Sequence, residues 1–515
     1  MSSREPMSHV DTAWLRMDRP ENLMQIVGVM LFKGRIDSDR FKRTLALRLL
    51  RYKRFRQIAV LDEEGAWWVD ASDFAIDTHV PHTLLPSPGG RQELQRFVAE
   101  MASTPLNPAR PRWEFNLVET GDGNSALVAR IHHAIADGIA LIGVFNSLTD
   151  AQMDAPEEGA VVPRPTGTSG ADPEATAETG DSFWRMVLEP VSDAVLKSIR
   201  VGGHLWGQYL GLRQHPETLR AYTRVATAVA KEIGKLARLP DDSKTRLKGK
   251  ASSVKRVAWS EPISLAEIKA VGRVLGCSVN DTLLAAVAGA LRAYLVAQGD
   301  PVDGVEIRVM VPVNLRTPDD SEALGNRFGL VALELPIGIE NPLARLYATR
   351  ARMAALKNSH QAMLTFALLA AAGMVPKFVQ DQLLRQLAGK TTAVMTNVPG
   401  PRQPRFFAGS KIRQQFVWVP QAGDIGVGVS ILSYQGWVQF GLITDHRRVN
   451  DPEQIVSRFA GEFDKLLWLV LLEPWDRLSF PAVVEEDLVT LVSSLAAAKP
   501  SRQRSRHASS PPARN

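Results

Sequence analysis

The chain has 515 residues, 45% of them hydrophobic, 23% charged and 7% aromatic. That balance excludes a wholly disordered or collagen-like chain and leaves room for two or three domains with sizeable cores. One cysteine, Cys277, excludes an internal disulfide framework, and the net charge of +6 collects in an acid-free tail (Lys499, Arg502, Arg504, Arg506, Arg514), so the body is nearly neutral and calls for no nucleic-acid partner.

The first twenty residues are polar and charged, without the apolar region of a secretory signal. Gln25 to Phe32 reads as a buried strand and Ser38 to Tyr52 as a helix with Phe41, Leu45, Leu49 and Tyr52 on one face. Trp67 to Val69 and Phe115 to Val118 read as strands. Ala126 to Ile131 is another, running directly into His132 and His133, and a helix begins near Asp137-Gly138. From Ala155 to Gly180 the chain is Ala, Pro, Glu, Gly, Thr, Ser and Asp without an aromatic, the composition of a flexible linker. Helical periodicity follows from Phe183 to about Leu239, and Ser252 to Trp259 opens a second unit as a strand.

In that unit Val279 to Val296 reads as a helix, Ile307 to Val313 and Leu330 to Leu335 as strands, and Ala344 to Lys357 as a helix. Thr391 to Asn397, Ile425 to Ser433 and Trp437 to Thr444 read as strands, and Pro452 to Leu472 as a final helix. The most apolar run, Ala362 to Pro376, is interrupted by Thr365 and Gly373 and is shorter than the ~20 residues that span a bilayer. No spanning helix is expected. The plan is α/β (α+β) with an N-terminal subdomain (1–154), a linker (155–181), a helical connector (182–250), a C-terminal subdomain (251–485) and a basic tail (486–515). Two halves of similar size favour an active site where they meet.

The sharpest local feature is His132-His133-Ala-Ile-Ala-Asp137-Gly138. A strand delivers two imidazoles to a turn, an acid follows, and Gly138 permits the turn into a helix. Imidazole suits proton transfer near neutral pH, and neighbours on a strand face opposite ways, so one histidine should reach a given cavity. The same residues also fit a structural histidine pair with a helix-capping aspartate.

HHxxxDG resembles the signature of the chloramphenicol acetyltransferase-like superfamily. Around it stand Pro105-Leu106, Pro111-Arg112-Trp113-Glu114, Val279-Asn280-Asp281, Val311-Pro-Val-Asn-Leu-Arg316, Gly325-Asn326, Thr396-Asn-Val-Pro-Gly-Pro401 and Ser433 to Asp445. In that order, from about Asp11 to Leu472 apart from the linker, they look like the bacterial wax ester synthase/diacylglycerol acyltransferase family. The resemblance implies two acetyltransferase-like subdomains with a substrate tunnel between them. It also implies an enzyme that esterifies a fatty alcohol or diacylglycerol with fatty acyl-CoA, without a metal or cofactor.

By position the resemblance makes His133 the general base, with His132, Asp137 and Gly138 completing the loop and Asp137 chiefly structural. Asn280 would support the oxyanion, or the Asn280-Asp281 pair would cap its helix; Pro111 and Trp113 would lie along the substrate. Two positions depart from the family pattern. Asp18 stands where a Glu is usual near the site, and Arg112 where an aliphatic residue is usual. The insolubility of such substrates implies peripheral association with a cytoplasmic membrane or lipid-droplet surface. An enzyme using a carrier-protein thioester, or a silent lipid-binding or droplet protein on the same fold, is the alternative.

Three other features carry less. Cys277 lacks an obvious catalytic partner and reads as a small buried thiol. His79 and His82 have ligand-like spacing but no further ligand cluster. Lys42 to Arg56 holds seven basic residues and no acid, which fits a helix docking on anionic lipid or CoA phosphates, or one packed on its sheet with a solvated basic face.

Overall fold

The computed structural model describes residues 4–156, 241–315, 325–357, 365–366, 369, 377, 380 and 389–472. The helical run after Phe183, nearly all of the linker, Arg316, most of Ala362–Pro376 and the basic tail lie outside the described residues.

The N-terminal half is built on a seven-stranded sheet ordered His82–Leu84, Trp113–Glu119, Ser125–His132, Gln25–Phe32, Ser410–Trp418, Phe406–Phe407 and Thr149–Asp150. Its two central strands are almost wholly buried, which is why they read as continuous apolar runs. A small sheet of Arg4–Pro6, Gly65–Asp70 and Gln57–Asp62 stands beside it. The C-terminal sheet runs Ile263–Ser264, Trp437–Asp445, Val427–Tyr434, Ala393–Pro399, Ile307–Asn314 and Phe328–Leu335, with Lys255–Trp259 also on Trp437–Asp445.

Two strands cross between the halves, Phe406–Phe407 and Ser410–Trp418. Ser410–Trp418 belongs by sequence to the second unit, yet it pairs antiparallel with Gln25–Phe32, Phe416 opposite Val29 and Trp418 opposite Val27. Its other edge is held by C-terminal side chains: Ser430 Oγ accepts from the Val417 N–H at 3.1 Å and Gln439 Oε1 from the Gln415 N–H at 2.8 Å. Phe416 and Trp418 stack with Trp259 in a core drawn from both halves. Burying three such rings, each about 150–250 Å² of surface, ties the two sheets together.

Val279–Ala297 is the one helix among the described residues long and apolar enough to cross a membrane, and 78% of it is buried inside the protein. It is a core helix. Ser278 caps it, and Gly289 lets Arg345 and Glu462 of the neighbouring helices Pro342–Lys357 and Glu453–Leu472 pair against its backbone.

The helix expected over Ser38–Tyr52 is α-helical through Thr44, then widens into a π turn over Leu45–Leu49. The extra residue turns Arg48 inward, where it bonds Asp150 at 2.9 Å. Lys42 pairs with Asp77, and Lys53 and Arg54 both with Glu5. Much of the basic run is therefore neutralised by this chain's own carboxylates.

Candidate active site

The strand Ser125–His132 ends on His132 and the turn that follows opens on His133, and the two rings meet different surroundings. Both rings are buried, 2% and 3% exposed. Asp137 then caps the helix Gly138–Leu148, its Oδ1 accepting from the Ala140 N–H at 2.8 Å. Its Oδ2 accepts from the Arg327 N–H at 2.8 Å, so the same carboxylate fastens the loop to the C-terminal half.

His133 faces that second half. Its Nδ1 lies 2.7 Å from Asn326 Oδ1. The amide's Nδ2 donates to the His133 carbonyl at 2.7 Å and to Asp11 Oδ1 at 2.7 Å. Those two partners accept only, so the amide oxygen must be the atom facing the imidazole. His133 therefore carries its proton on Nδ1, and Nε2 is the basic atom. Trp14 stacks on the ring at 4.1 Å and Phe328 lies at 5.3 Å. Burial pushes the His133 pKa down to about 4, with Asp137 pulling it back up, so the imidazole is neutral at physiological pH.

His132 points the other way. Its Nδ1 accepts from the Ala134 N–H at 3.1 Å and its Nε2 lies 3.5 Å from Asp18 Oδ2. Asp18 also accepts from Arg112 at 3.1 Å and from the Met24 N–H at 2.9 Å. The two departures from the family pattern are thus one ion pair: the guanidinium meets the carboxylate, and both sit behind His132 rather than in the cavity.

That cavity lies between the halves, with about 1620 Å³ of empty space, part of it open to solvent. Its walls are mostly apolar, with Met30 and Leu127 from one half, Phe328 and Leu432 from the other, and His133, Asp137 and Gly138 among them.

The structure places the remaining candidates less simply. Gly138 lines the cavity, but its backbone is not left-handed and a Cβ there would meet nothing within 4 Å. The turn does not need a glycine; the missing side chain keeps cavity space clear. Asn280 is not among the lining residues. Its Oδ1 accepts from Asn397 Nδ2 at 2.5 Å, and Asn397 is the one that lines the cavity. Asp281 closes a capping box, accepting from the Ser278 N–H at 2.8 Å.

Trp113 and Pro111 do not reach the cavity. Trp113 is 1% exposed, donates from Nε1 to the Phe55 carbonyl at 2.8 Å and stacks on His79 at 4.4 Å; Pro111 accepts from its N–H. An aromatic three-sided by other rings is core, so the expected substrate contact is corrected to packing beneath the sheet. Cys277 is half-buried, its Sγ 3.4 Å from the Leu275 carbonyl. His79 bonds the Trp113 carbonyl while His82 pairs with Glu119, so the two rings diverge.

Sequence reasoning assigned no role to Asn326, Asn397, Asp11 or Trp14, although the first two lie in quoted motifs. The signal available was an amide directly after Gly325 and before the apolar strand Phe328–Leu335.

Comparison with known proteins agrees with this geometry. The family model described as the wax ester synthase/diacylglycerol acyltransferase catalytic domain matches residues 7–283, and that of the WS/DGAT C-terminal domain matches 324–467. The chain is 28% identical over 444 residues, 84% of this chain and 88% of the relative, to the Mycobacterium tuberculosis protein named "Probable diacyglycerol O-acyltransferase tgs1". The wax ester synthase/diacylglycerol acyltransferase from Marinobacter aquaeolei VT8 has a TM-score of 0.64 at 20% identity, covering 91% of this chain and 100% of that one. The first condensation domain of the calcium-dependent antibiotic synthetase, in complex with a substrate analogue, gives 0.57 at 15% identity over 91% and 96%. These two likenesses are of fold. The catalytic-domain match runs through the histidine loop and over half of the sequence, and the chain belongs to the wax ester synthase/diacylglycerol acyltransferase family.

Proposed function

We propose that the cavity joins a fatty acyl-CoA to a long-chain alcohol or a diacylglycerol, with His133 as general base. The observation that carries this is the fixed tautomer: Asn326 holds the Nδ1 proton, so Nε2 is the lone-pair atom, in a largely apolar cavity. The acceptor hydroxyl gives its proton to Nε2 as its oxygen attacks the thioester carbonyl. The tetrahedral intermediate collapses with cleavage of the C–S bond, and the imidazolium returns the proton to the CoA thiolate. Ester and free CoA leave. A base so placed is worth about 10²–10⁴ in rate. Asn397, which lines the cavity and is held by Asn280, is assigned to the developing oxyanion.

The scheme calls for no metal or redox cofactor, because the thioester supplies the driving force. Asp137 holds the loop and bears on the reaction only through His133. The family and the name of the mycobacterial relative support diacylglycerol as one acceptor.

The site of action in this reading is a cytoplasmic membrane or lipid-droplet surface, where both acceptor and product partition. Trp468, Leu471 and Leu472, more than half exposed at the end of the helix Glu453–Leu472, support a peripheral attachment. The test is acceptor-dependent release of CoA from palmitoyl-CoA with hexadecanol or diacylglycerol, the ester products resolved chromatographically. No release with either acceptor from folded protein contradicts the proposal.

A further inference from the structure

Behind His133 lies a carboxylate that the transfer scheme does not use. Asp11 sits on the helix His9–Met17, is 7% exposed, and accepts from Asn326 Nδ2 at 2.7 Å. Asn326 passes the connection on: its other end accepts the His133 Nδ1 proton. The three side chains come from the N-terminal helix, the histidine loop and the C-terminal half. Their order is carboxylate, amide, imidazole.

We infer that Asp11 is a positioning residue of the acyl transfer, acting through Asn326 to fix the His133 tautomer and raise the basicity of Nε2. This rests on His133 being the base. A buried carboxylate is costly to keep, and a neutral amide at position 11 would accept the same bond from Asn326. What only the carboxylate adds is charge. A negative charge at Nδ2 polarises the amide toward Oδ1, which then holds the Nδ1 proton more strongly and stabilises the imidazolium as it forms. The logic is that of a Ser-His-Asp triad with an amide inserted between acid and base. His133 needs such help, since burial leaves it a weak base.

The titratable surroundings are few. Asp11 faces Asn326 and Ser8, with the Arg54 charge from the turn Lys53–Arg56; His133 feels Asp137 on its own loop and His132 beside it. Burial pushes the Asp11 pKa up to about 6, so the relay is charged above that pH and discharged below it. Activity should therefore fall in acid with the protonation of Asp11, ahead of the lower pKa of His133 itself.

The experiment compares pH profiles of kcat for the full-length wild type, Asp11→Asn and Asp11→Asn/Asn326→Asp, with palmitoyl-CoA and the better acceptor. His133→Ala runs beside them. The wild-type acid limb is expected near pH 6. Asp11→Asn keeps the hydrogen bond but not the charge: kcat should fall about tenfold at pH 8 with KM unchanged, less than on losing a directly bonded carboxylate. Its acid limb should move down by at least one pH unit. The double variant sets a carboxylate directly on Nδ1 and should regain the rate, its limb above that of the single variant. An unchanged rate and limb in Asp11→Asn overturns the inference, as the bond alone would then suffice. Should Asp11→Asn lose its cooperative melt, the double variant and the wild-type limb decide, and a wild-type limb near pH 4 overturns it equally. Full activity in His133→Ala would instead bring down the base assignment, whatever Asp11 does.

Discussion

Replacing Asn326 by leucine removes the amide while keeping its branched shape and number of heavy atoms, so no cavity is opened and the effect reports chiefly on hydrogen bonds. Three buried groups each lose one hydrogen bond: the His133 Nδ1–H, the His133 carbonyl and the Asp11 carboxylate. Asp11 has an escape, since its raised pKa lets it take up a proton. The other two cannot escape. At about 1–3 kcal/mol for each stranded neutral group, the fold should lose about 2–6 kcal/mol. Catalysis should suffer separately, because the Asn326 acceptor that selects the Nδ1–H tautomer and aims Nε2 is gone. That loss is bounded by the worth of the base, so kcat should drop about 10²-fold. KM for acyl-CoA should stay within about threefold, since the amide's three bonds all go to protein groups. Steady-state kinetics of CoA release, with thermal melts of the same preparations, separate the two effects. Wild-type kcat in a folded Asn326→Leu protein refutes the reasoning, as does a large rise in KM at unchanged kcat.

Gly138→Ala should leave the melting temperature unchanged or raise it, by about 0.4–1 kcal/mol in stability, while cutting activity as the methyl enters the cavity; a sharp loss of stability would restore the backbone argument for that glycine. Trp113→Leu should cost about 2–4 kcal/mol yet leave KM for both substrates alone, and a KM effect in the stable protein would return Trp113 to the substrate path. Asp18→Ala and Arg112→Leu, alone and together, should show a coupling of about 0.5–1.5 kcal/mol in stability. Burial pushes Asp18 up, but His132, the Met24 N–H and Arg112 together hold it below its ordinary value. The coupling is thus full above about pH 4 and lost as Asp18 protonates in acid, so a coupling that grows on acidification contradicts the pairing.

The elements with strong periodicity or continuous apolar runs were legible in the sequence. Gln25–Phe32, Val279–Ala297, Val427–Tyr434 and Trp437–Asp445 all fall within a residue or two of where hydrophobic patterning puts them. Ser410–Trp418 was not legible: only Ile412, Phe416 and Trp418 are buried along it, and its partner strand lies almost four hundred residues earlier. The helix Arg91–Ser103 hid for a related reason, its buried face including Glu93 and Gln95. At the site the histidine loop announced itself because its residues are contiguous. Asn326 did not, because what makes it an orienting group is its approach to His133 across 193 positions. Trp113 misled for the converse reason: its strand pairs with the histidine strand, Trp113 opposite Ile131, but its ring packs in the core. The Asp18–Arg112 pair shows the same limit, since two separate departures from a pattern are a single interaction once folded.

The central claim is that His133 performs base catalysis in an acyl transfer, and the most direct measurement is CoA release from palmitoyl-CoA by wild type and His133→Ala, with hexadecanol and diacylglycerol in parallel. The account predicts acceptor-dependent release, with ester formed in equal amount, and a fall of about 10²–10⁴ in His133→Ala with its melt intact. Equal rates in the two proteins would contradict it.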